Sequence, residues 1–221
     1  MIVEERAASY VRSLIPETDE VLESIAREAR NEYIPIIRPE TGELLKVLLL
    51  IKRPLKILEI GTAVGYSSIY MSRHMPEGAH ITTIENYEPR AIKAGENISR
   101  AGVKDRITLR FGDAAEILPL LDEQYDFIFM DGAKGQYMHF LEDVYRLLAP
   151  GGILVSDNVL QDGEILESHF TVPKRNRTIH DRMREYLYTL KHQEGLETVV
   201  LTVGDGVAVS TKLYLNADRC I

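Results

Sequence analysis

From residue 56 onward short apolar runs alternate with helical stretches, and this rhythm limits the possible folds more than any other feature of the sequence. The runs Lys56–Ile60, His80–Glu85, Ile107–Phe111, Tyr125–Met130 and Ile153–Ser156 are short and nearly all apolar, as strands covered on both faces must be. Five parallel strands joined by helices follow. The last two runs, Glu197–Val203 and Val207–Thr211, are separated only by Gly204-Asp205-Gly206, a link so short that it demands an antiparallel hairpin. The expected architecture is α/β, with a seven-stranded, mostly parallel sheet, an antiparallel C-terminal pair and helices on both faces. Upstream, from about Val3 to Leu50, the spacing is helical with breaks at Pro16 and Pro35, and Glu43–Leu50 reads as a strongly buried helix. No strand is expected before residue 56. Residues 1–55 therefore read as accessory helices and 56–213 as the core of a single domain spanning 1–221.

The composition agrees: 221 residues with 45% hydrophobic and 27% charged side chains can bury one sizeable core. A net charge of −8 argues against a protein that coats nucleic acid through global electrostatics, and leaves room only for a local basic patch. The one cysteine, Cys220, excludes an intramolecular disulfide and a cysteine-based zinc site. The start Met1-Ile2-Val3-Glu4-Glu5-Arg6 lacks a basic segment followed by an apolar run, and the apolar stretch Val47–Ile51 is far shorter than a membrane span. A cytoplasmic protein without membrane contact is expected.

The segment Ile57-Leu58-Glu59-Ile60-Gly61-Thr62-Ala63-Val64-Gly65-Tyr66-Ser67-Ser68 is a strand that ends in a glycine-bearing turn and enters a helix. Glycines let backbone approach a ligand, and the helix start offers free N–H groups. Ala63 stands where the second glycine of a dinucleotide fingerprint belongs, and no P-loop lysine follows, so NAD and ATP lose ground. Glu85 closes the second strand 24 residues after Gly61, where a carboxylate can accept both hydroxyls of a ribose. The third strand runs into Gly112-Asp113-Ala114, suited to an adenine edge. Each carboxylate alone also reads as a helix cap or a solvated turn residue.

With these residues the sequence resembles the S-adenosylmethionine-dependent methyltransferases, from about Ile36 to Leu213, and that resemblance implies their Rossmann-like fold. It carries cofactor contacts to Ile37, Glu59, Gly61, Ser67, Glu85, Gly112, Asp113, Ala114 and Asp131. Glu59 to Gly65 would hold the methionine end, Ser67 the methionine carboxylate and Glu85 the ribose.

The fourth strand ends in Asp131 and the fifth in Asp157-Asn158. If these strands are neighbours, about 4.8 Å apart, the three residues form one oxygen-rich cluster. Such a set suits Mg²⁺ rather than zinc; the plain alternative is a capped turn beside a solvated acid. Lys134, three residues after Asp131, is either a surface lysine or a base whose neutral form a neighbouring cation favours. The pattern Asp-x-x-Lys with Asp-Asn 26 residues after the first acid is similar to the cation-dependent O-methyltransferases of the catechol and caffeoyl-CoA type. That resemblance assigns Asp131, Asp157 and Asn158 to the metal, and Lys134 with Asp131 to catalysis.

Any acceptor must then offer two vicinal oxygens, as catechols and 5-hydroxyuracil both do. Beyond Asp157-Asn158 stand Lys174, Arg175, Arg177, Arg182 and Arg184 against Asp181, a local balance of +4 counted from Lys174. This run is either a solvated helix start or a phosphate-binding patch. Val172-Pro173-Lys174-Arg175-Asn176-Arg177, with Asp131–Tyr137 and Val203–Gly206, resembles the bacterial tRNA 5-hydroxyuridine methyltransferases, which make 5-methoxyuridine at the wobble position. The resemblance implies a tRNA partner bound through Lys174, Arg175 and Arg177. A small-molecule O-methyltransferase acting on catechols or hydroxycinnamoyl thioesters is the alternative, and a non-enzymatic cofactor-binding regulator a third reading. The resemblance also implies a homodimer, with Tyr10 or Tyr33 reaching the partner's pocket.

Overall fold

The computed structural model describes residues 5–16 and 19–214, so Cys220 lies outside the described residues. Three helices come first: α1 (Glu5–Ser13), α2 (Glu20–Asn31) and α3 (Pro39–Lys52). The Asp19 carboxylate caps α2 by accepting from the Leu22 N–H at 2.9 Å, and Leu22, Ile25, Ala26 and Ala29 form its buried stripe. Proline in the first turn starts α3, and Arg53 in the left-handed region (φ 51°) ends it.

Then β1 (Lys56–Ile60), α4 (Tyr66–His74), β2 (His80–Glu85), α5 (Glu88–Arg100), β3 (Ile107–Phe111), α6 (Ala114–Ile117), β4 (Tyr125–Met130), α7 (Tyr137–Leu147) and β5 (Leu148–Ser156) alternate as expected. They are followed by α8 (Arg177–His192), β6 (Leu196–Leu201) and β7 (Val207–Lys212). The strand order is β3-β2-β1-β4-β5-β7-β6, parallel throughout except where β7 pairs antiparallel with both β5 and β6. Period-two alternation divides the core between the two faces of this sheet. Leu58, Ile60, Ile128 and Met130 pack with residues of α7 and α8, whereas Ile57, Phe127 and Phe129 pack with residues of α2, α3 and α4.

Two expectations change. The leucine-rich helix is not strongly buried: Leu45 and Leu49 are covered, but Val47, Leu50 and Ile51 are 50%, 57% and 73% exposed. Its apolar residues wrap the whole circumference, and a surface helix offers the core only one face. The fifth strand begins at Leu148, not Ile153, because the register slips from Tyr125↔Leu148 to Phe127↔Ile153. That slip is a bulge that takes in Pro150-Gly151-Gly152.

Candidate active site

The chain runs from β1 to strands on one side and from β4 to strands on the other, so the order reverses between β1 and β4. Open α/β sheets leave a crevice outside the strand ends at such a point. Gly61 begins it. Its φ is +103°, and a Cβ there would lie 2.5 Å from the Asp131 carbonyl oxygen and 2.8 Å from the Gly132 Cα. Only glycine lets the turn after β1 pass so close to the end of β4. The crevice is lined by the expected Gly61, Gly112, Asp113 and Ala114, joined by Asn86, Gln136 and Phe140. Asp113 also caps α6, accepting from the Ala115 N–H at 2.9 Å.

Behind the turn stands Glu59, fully buried on β1. Its Oε2 accepts from the Ser68 hydroxyl and, at 2.5 Å, from that of Thr83, while Oε1 has no hydrogen-bond partner. Burial pushes its carboxyl up, and Ser67, buried in the first turn of α4, is among the hydroxyls that oppose the shift. A buried acceptor left open beside a glycine crevice fits a cationic or hydrogen-bonding ligand group. Glu85 is buried at the end of β2, where its two oxygens accept from the Ala63 N–H at 2.8 Å and the Tyr87 N–H at 2.9 Å. It holds the turn in shape, and each oxygen keeps a second lone pair. Ile37 lines a second cavity together with Tyr70 and with Tyr66, the first residue of α4 directly after the glycine turn.

On the other side β4 and β5 are parallel neighbours, with Met130 opposite Ser156. Asp131 and Asp157 are therefore adjacent, pinned by Asp131 N–H to Ile60 C=O and Asp157 N–H to Met130 C=O, each 2.9 Å. The Tyr137 hydroxyl lies 2.9 Å from the Met130 carbonyl and 3.2 Å from that of Asp157, tying the two strand ends together from below. Asn158, in the left-handed region at φ 57°, donates its N–H to Asp157 Oδ1 at 2.8 Å.

A third acid, absent from the expected site, completes the corner: Asp205 of the β6–β7 turn. It is ion-paired with Arg38 and lies 3.5 Å from Asn158 Nδ2. Because β7 runs antiparallel beside β5, the turn that precedes it lies next to the end of β5. The Gly-Asp-Gly link identifies the hairpin in the sequence but not its neighbour in the sheet, so it does not by itself place Asp205 here. Burial, then the Asp157 charge, pushes the Asp131 carboxyl well up; burial and Asp205 do the same to Asp157, against the Asn158 N–H, Lys134 and Arg38. Crowded oxygen donors that resist ionisation in one another's company, with no histidine or cysteine grouped with them among the described residues, are what a hard divalent cation requires.

The basic run is less available than its charge implies. Arg177 turns back to the carbonyls of Val172 and Phe170, both at 3.1 Å; Arg182 donates to Gly135 O at 2.9 Å and Arg184 to Ile165 O at 3.2 Å. Lys174 and Arg175 are exposed. Tyr10 and Tyr33 are exposed as well, at 66% and 94%.

A family model described as O-methyltransferase matches residues 12–213. The chain belongs to the O-methyltransferase family. Among its relatives, a protein named catechol O-methyltransferase from Niastella koreensis is 35% identical over 171 residues, covering 74% of this chain and 77% of that protein. A caffeoyl-CoA O-methyltransferase from Populus kitakamiensis is 28% identical over 218 residues, 92% of this chain and 91% of the relative. The crystal structure of an O-methyltransferase from Bacillus cereus, in complex with SAH, superposes with a TM-score of 0.82 at 28% identity, covering 94% of this chain and 97% of that one. This O-methyltransferase thus has the expected Rossmann-like fold. Among the described residues no helix is long and apolar enough to cross a membrane.

Proposed function

We propose that this O-methyltransferase transfers the methyl group of S-adenosylmethionine to one of two vicinal oxygens on a small acceptor of the catechol or caffeoyl-CoA kind, with Mg²⁺ at the acidic corner. The observation that carries this reading is the meeting of Asp131, Asp157 and Asn158 at the paired ends of β4 and β5, next to the Gly61 crevice.

Asp131, Asp157 and Asn158 would hold the cation, which would lower the pKa of an adjacent acceptor hydroxyl. Lys134 Nζ takes the hydroxyl proton. Glu59, Gly61, Ser67, Glu85, Gly112, Asp113 and Ala114 would hold S-adenosylmethionine, which would supply the methyl group to the deprotonated acceptor oxygen and be released as S-adenosylhomocysteine. Fixing the two partners in near-attack geometry is worth roughly 7–11 kcal/mol of the barrier.

A small acceptor is favoured by a cavity of about 150 Å³ lined by Ala7, Ala8, Val11, Arg38, Val203 and Gly204, adjoining the Arg38–Asp205 pair. Arg12, Glu40 and Thr202 complete the lining, and a cavity of roughly that volume accommodates a benzene ring. The names of the relatives point the same way. A tRNA carrying 5-hydroxyuridine is the second reading, and the exposure of Lys174 and Arg175 is what favours it.

The test is Asp157→Ala assayed with Mg²⁺ and a catechol. Turnover should be lost while S-adenosylmethionine binding, measured by calorimetry, stays within a few-fold of wild type. Full turnover in this variant, or in wild type under excess chelator, overturns the reading. Counterion release separates the acceptors, because methylation of tRNA would weaken steeply with salt and depend on Lys174 and Arg175, whereas a neutral catechol would do neither.

A further inference from the structure

Away from the acidic corner, three side chains converge on a single point. His169 lies in the connection after the short 3-10 helix Gln161–Leu166, and His180 and Asp181 lie in the first turns of α8. His169 Nδ1 is 2.9 Å from Asp181 Oδ1, and His180 Nδ1 is 3.1 Å from the same oxygen. His180 is buried, 1% exposed, whereas the Asp181 side chain is 52% exposed.

The other ring nitrogen of His180 fixes the chemistry. Nε2 lies 3.2 Å from the Glu167 carbonyl oxygen. A carbonyl only accepts, so Nε2 carries the hydrogen. Neutral His180 then directs the lone pair of Nδ1 at a carboxylate oxygen, acceptor against acceptor, and His169 Nδ1 meets that same oxygen. An ion placed among the three atoms would accept the Nδ1 lone pairs and the carboxylate oxygen together. An N–H given to a backbone carbonyl is also the usual device by which a protein leaves the opposite nitrogen of a histidine open for ligation.

We propose that His169 Nδ1, His180 Nδ1 and Asp181 Oδ1 form a second metal site, selective for a borderline divalent transition ion of the zinc class. The three ligand atoms all lie within 4.8 Å of one another. Bonds of about 2.0–2.2 Å from each to a common ion are reached by small side-chain rotations. Two imidazoles and one carboxylate suit zinc, nickel or copper and reject Mg²⁺, which separates this site from the oxygen-only corner. The exposed side of Asp181 leaves the fourth position to water.

Such an ion would clip the 161–176 connection to α8. The residue after Asp181, Arg182, donates to the Gly135 carbonyl, one residue from Lys134. The clip therefore bears on the wall next to the proposed base, and its role is to stiffen that wall rather than to take part in the reaction.

Chelator-stripped full-length protein, wild type and Asp157→Ala, is titrated with Zn²⁺ against a chromophoric chelator in excess Mg²⁺. Both should bind one zinc per chain, and Co²⁺ in its place should give the visible absorption of a four-coordinate ion. His169→Ala and Asp181→Asn, changes at partly exposed positions that leave the core intact, should each weaken zinc by at least the roughly 10–100-fold that loss of a supporting hydrogen bond costs a metal site. Zinc binding by wild type no tighter than by the His169→Ala/Asp181→Asn double variant overturns the proposal.

Discussion

At the scale of single residues, Gly61 shows how tightly the crevice is built. Gly61→Ala introduces both a left-handed φ of +103° and a Cβ 2.5 Å from the Asp131 carbonyl, so the turn or the end of β4 must move. Strained backbone of this kind costs on the order of 1–3 kcal/mol. At about 2–4 °C per kcal/mol for a chain of this size, the melting temperature should fall by at least a few degrees. S-adenosylmethionine affinity and Mg²⁺-dependent turnover should fall with it, because the same movement displaces Asp131. Calorimetric melting and binding check this, and a variant as stable and active as wild type would mean that the turn has slack. Gly61, Asp131, Asp157 and Asn158 were legible in the sequence because each ends an apolar run, and a strand end in a parallel sheet is a definite place. Arg38 and Asp205 were not. Their pairing depends on how the start of α3 packs against a hairpin more than 160 residues later, and local periodicity does not encode that. Arg177 misled for a related reason: its charge is visible in the sequence, but the carbonyls of Val172 and Phe170 that absorb it are visible only in the folded loop.

At the scale of elements, the accessory helices are held to the sheet layer by more than their apolar faces. Glu28 of α2 makes a two-pronged contact with Arg100 of α5, at 2.6 and 3.1 Å, and Lys93 lies 3.5 Å away. The Arg100 hydrogen bond, with help from Ser24 and Lys93, lowers the Glu28 carboxyl to about 2. A depressed carboxyl stabilises the fold above its unfolded value, near 4.5, and the contribution is lost as pH falls toward 2. Glu28→Gln should therefore lower the melting temperature at neutral pH, and its deficit relative to wild type should shrink steadily across that acid window. The pair is partly exposed, so the deficit should also shrink with salt. A deficit that stays constant from neutral pH to the acid limit would place the effect in packing instead. The same scale explains the misjudged α3: a leucine-rich helix announces its secondary structure strongly, but not which face the rest of the chain leaves open.

For the molecule as a whole, the strand order turns a linear spacing of acids into a concentrated charge. Glu59 lies on β1, Asp131 and Asp157 directly follow β4 and β5, and Asp205 lies in the hairpin turn, so the reversal between β1 and β4 gathers them at the ends of the central strands. Glu59, Asp157 and Asp205 each raise the Asp131 carboxyl, in a chain that is already at −8. The fold therefore carries an unfavourable cluster that an unfolded chain would disperse, and on the proposed function a divalent cation would relieve it in the folded state alone. Binding of that kind adds stability by mass action, about 2.7 kcal/mol at a hundred times the dissociation constant. On the same conversion as above, saturating Mg²⁺ should raise the melting temperature of wild type by roughly 5–10 °C over chelator-treated protein. Asp157→Ala, which removes one acid and one ligand together, should melt at the same temperature with or without Mg²⁺. Its own midpoint in chelator should be no lower than that of stripped wild type, because the remaining acids repel less. Equal Mg²⁺ shifts in the two proteins would locate the cation elsewhere, and no shift in either would leave the gathered acids without the ion that makes their convergence favourable.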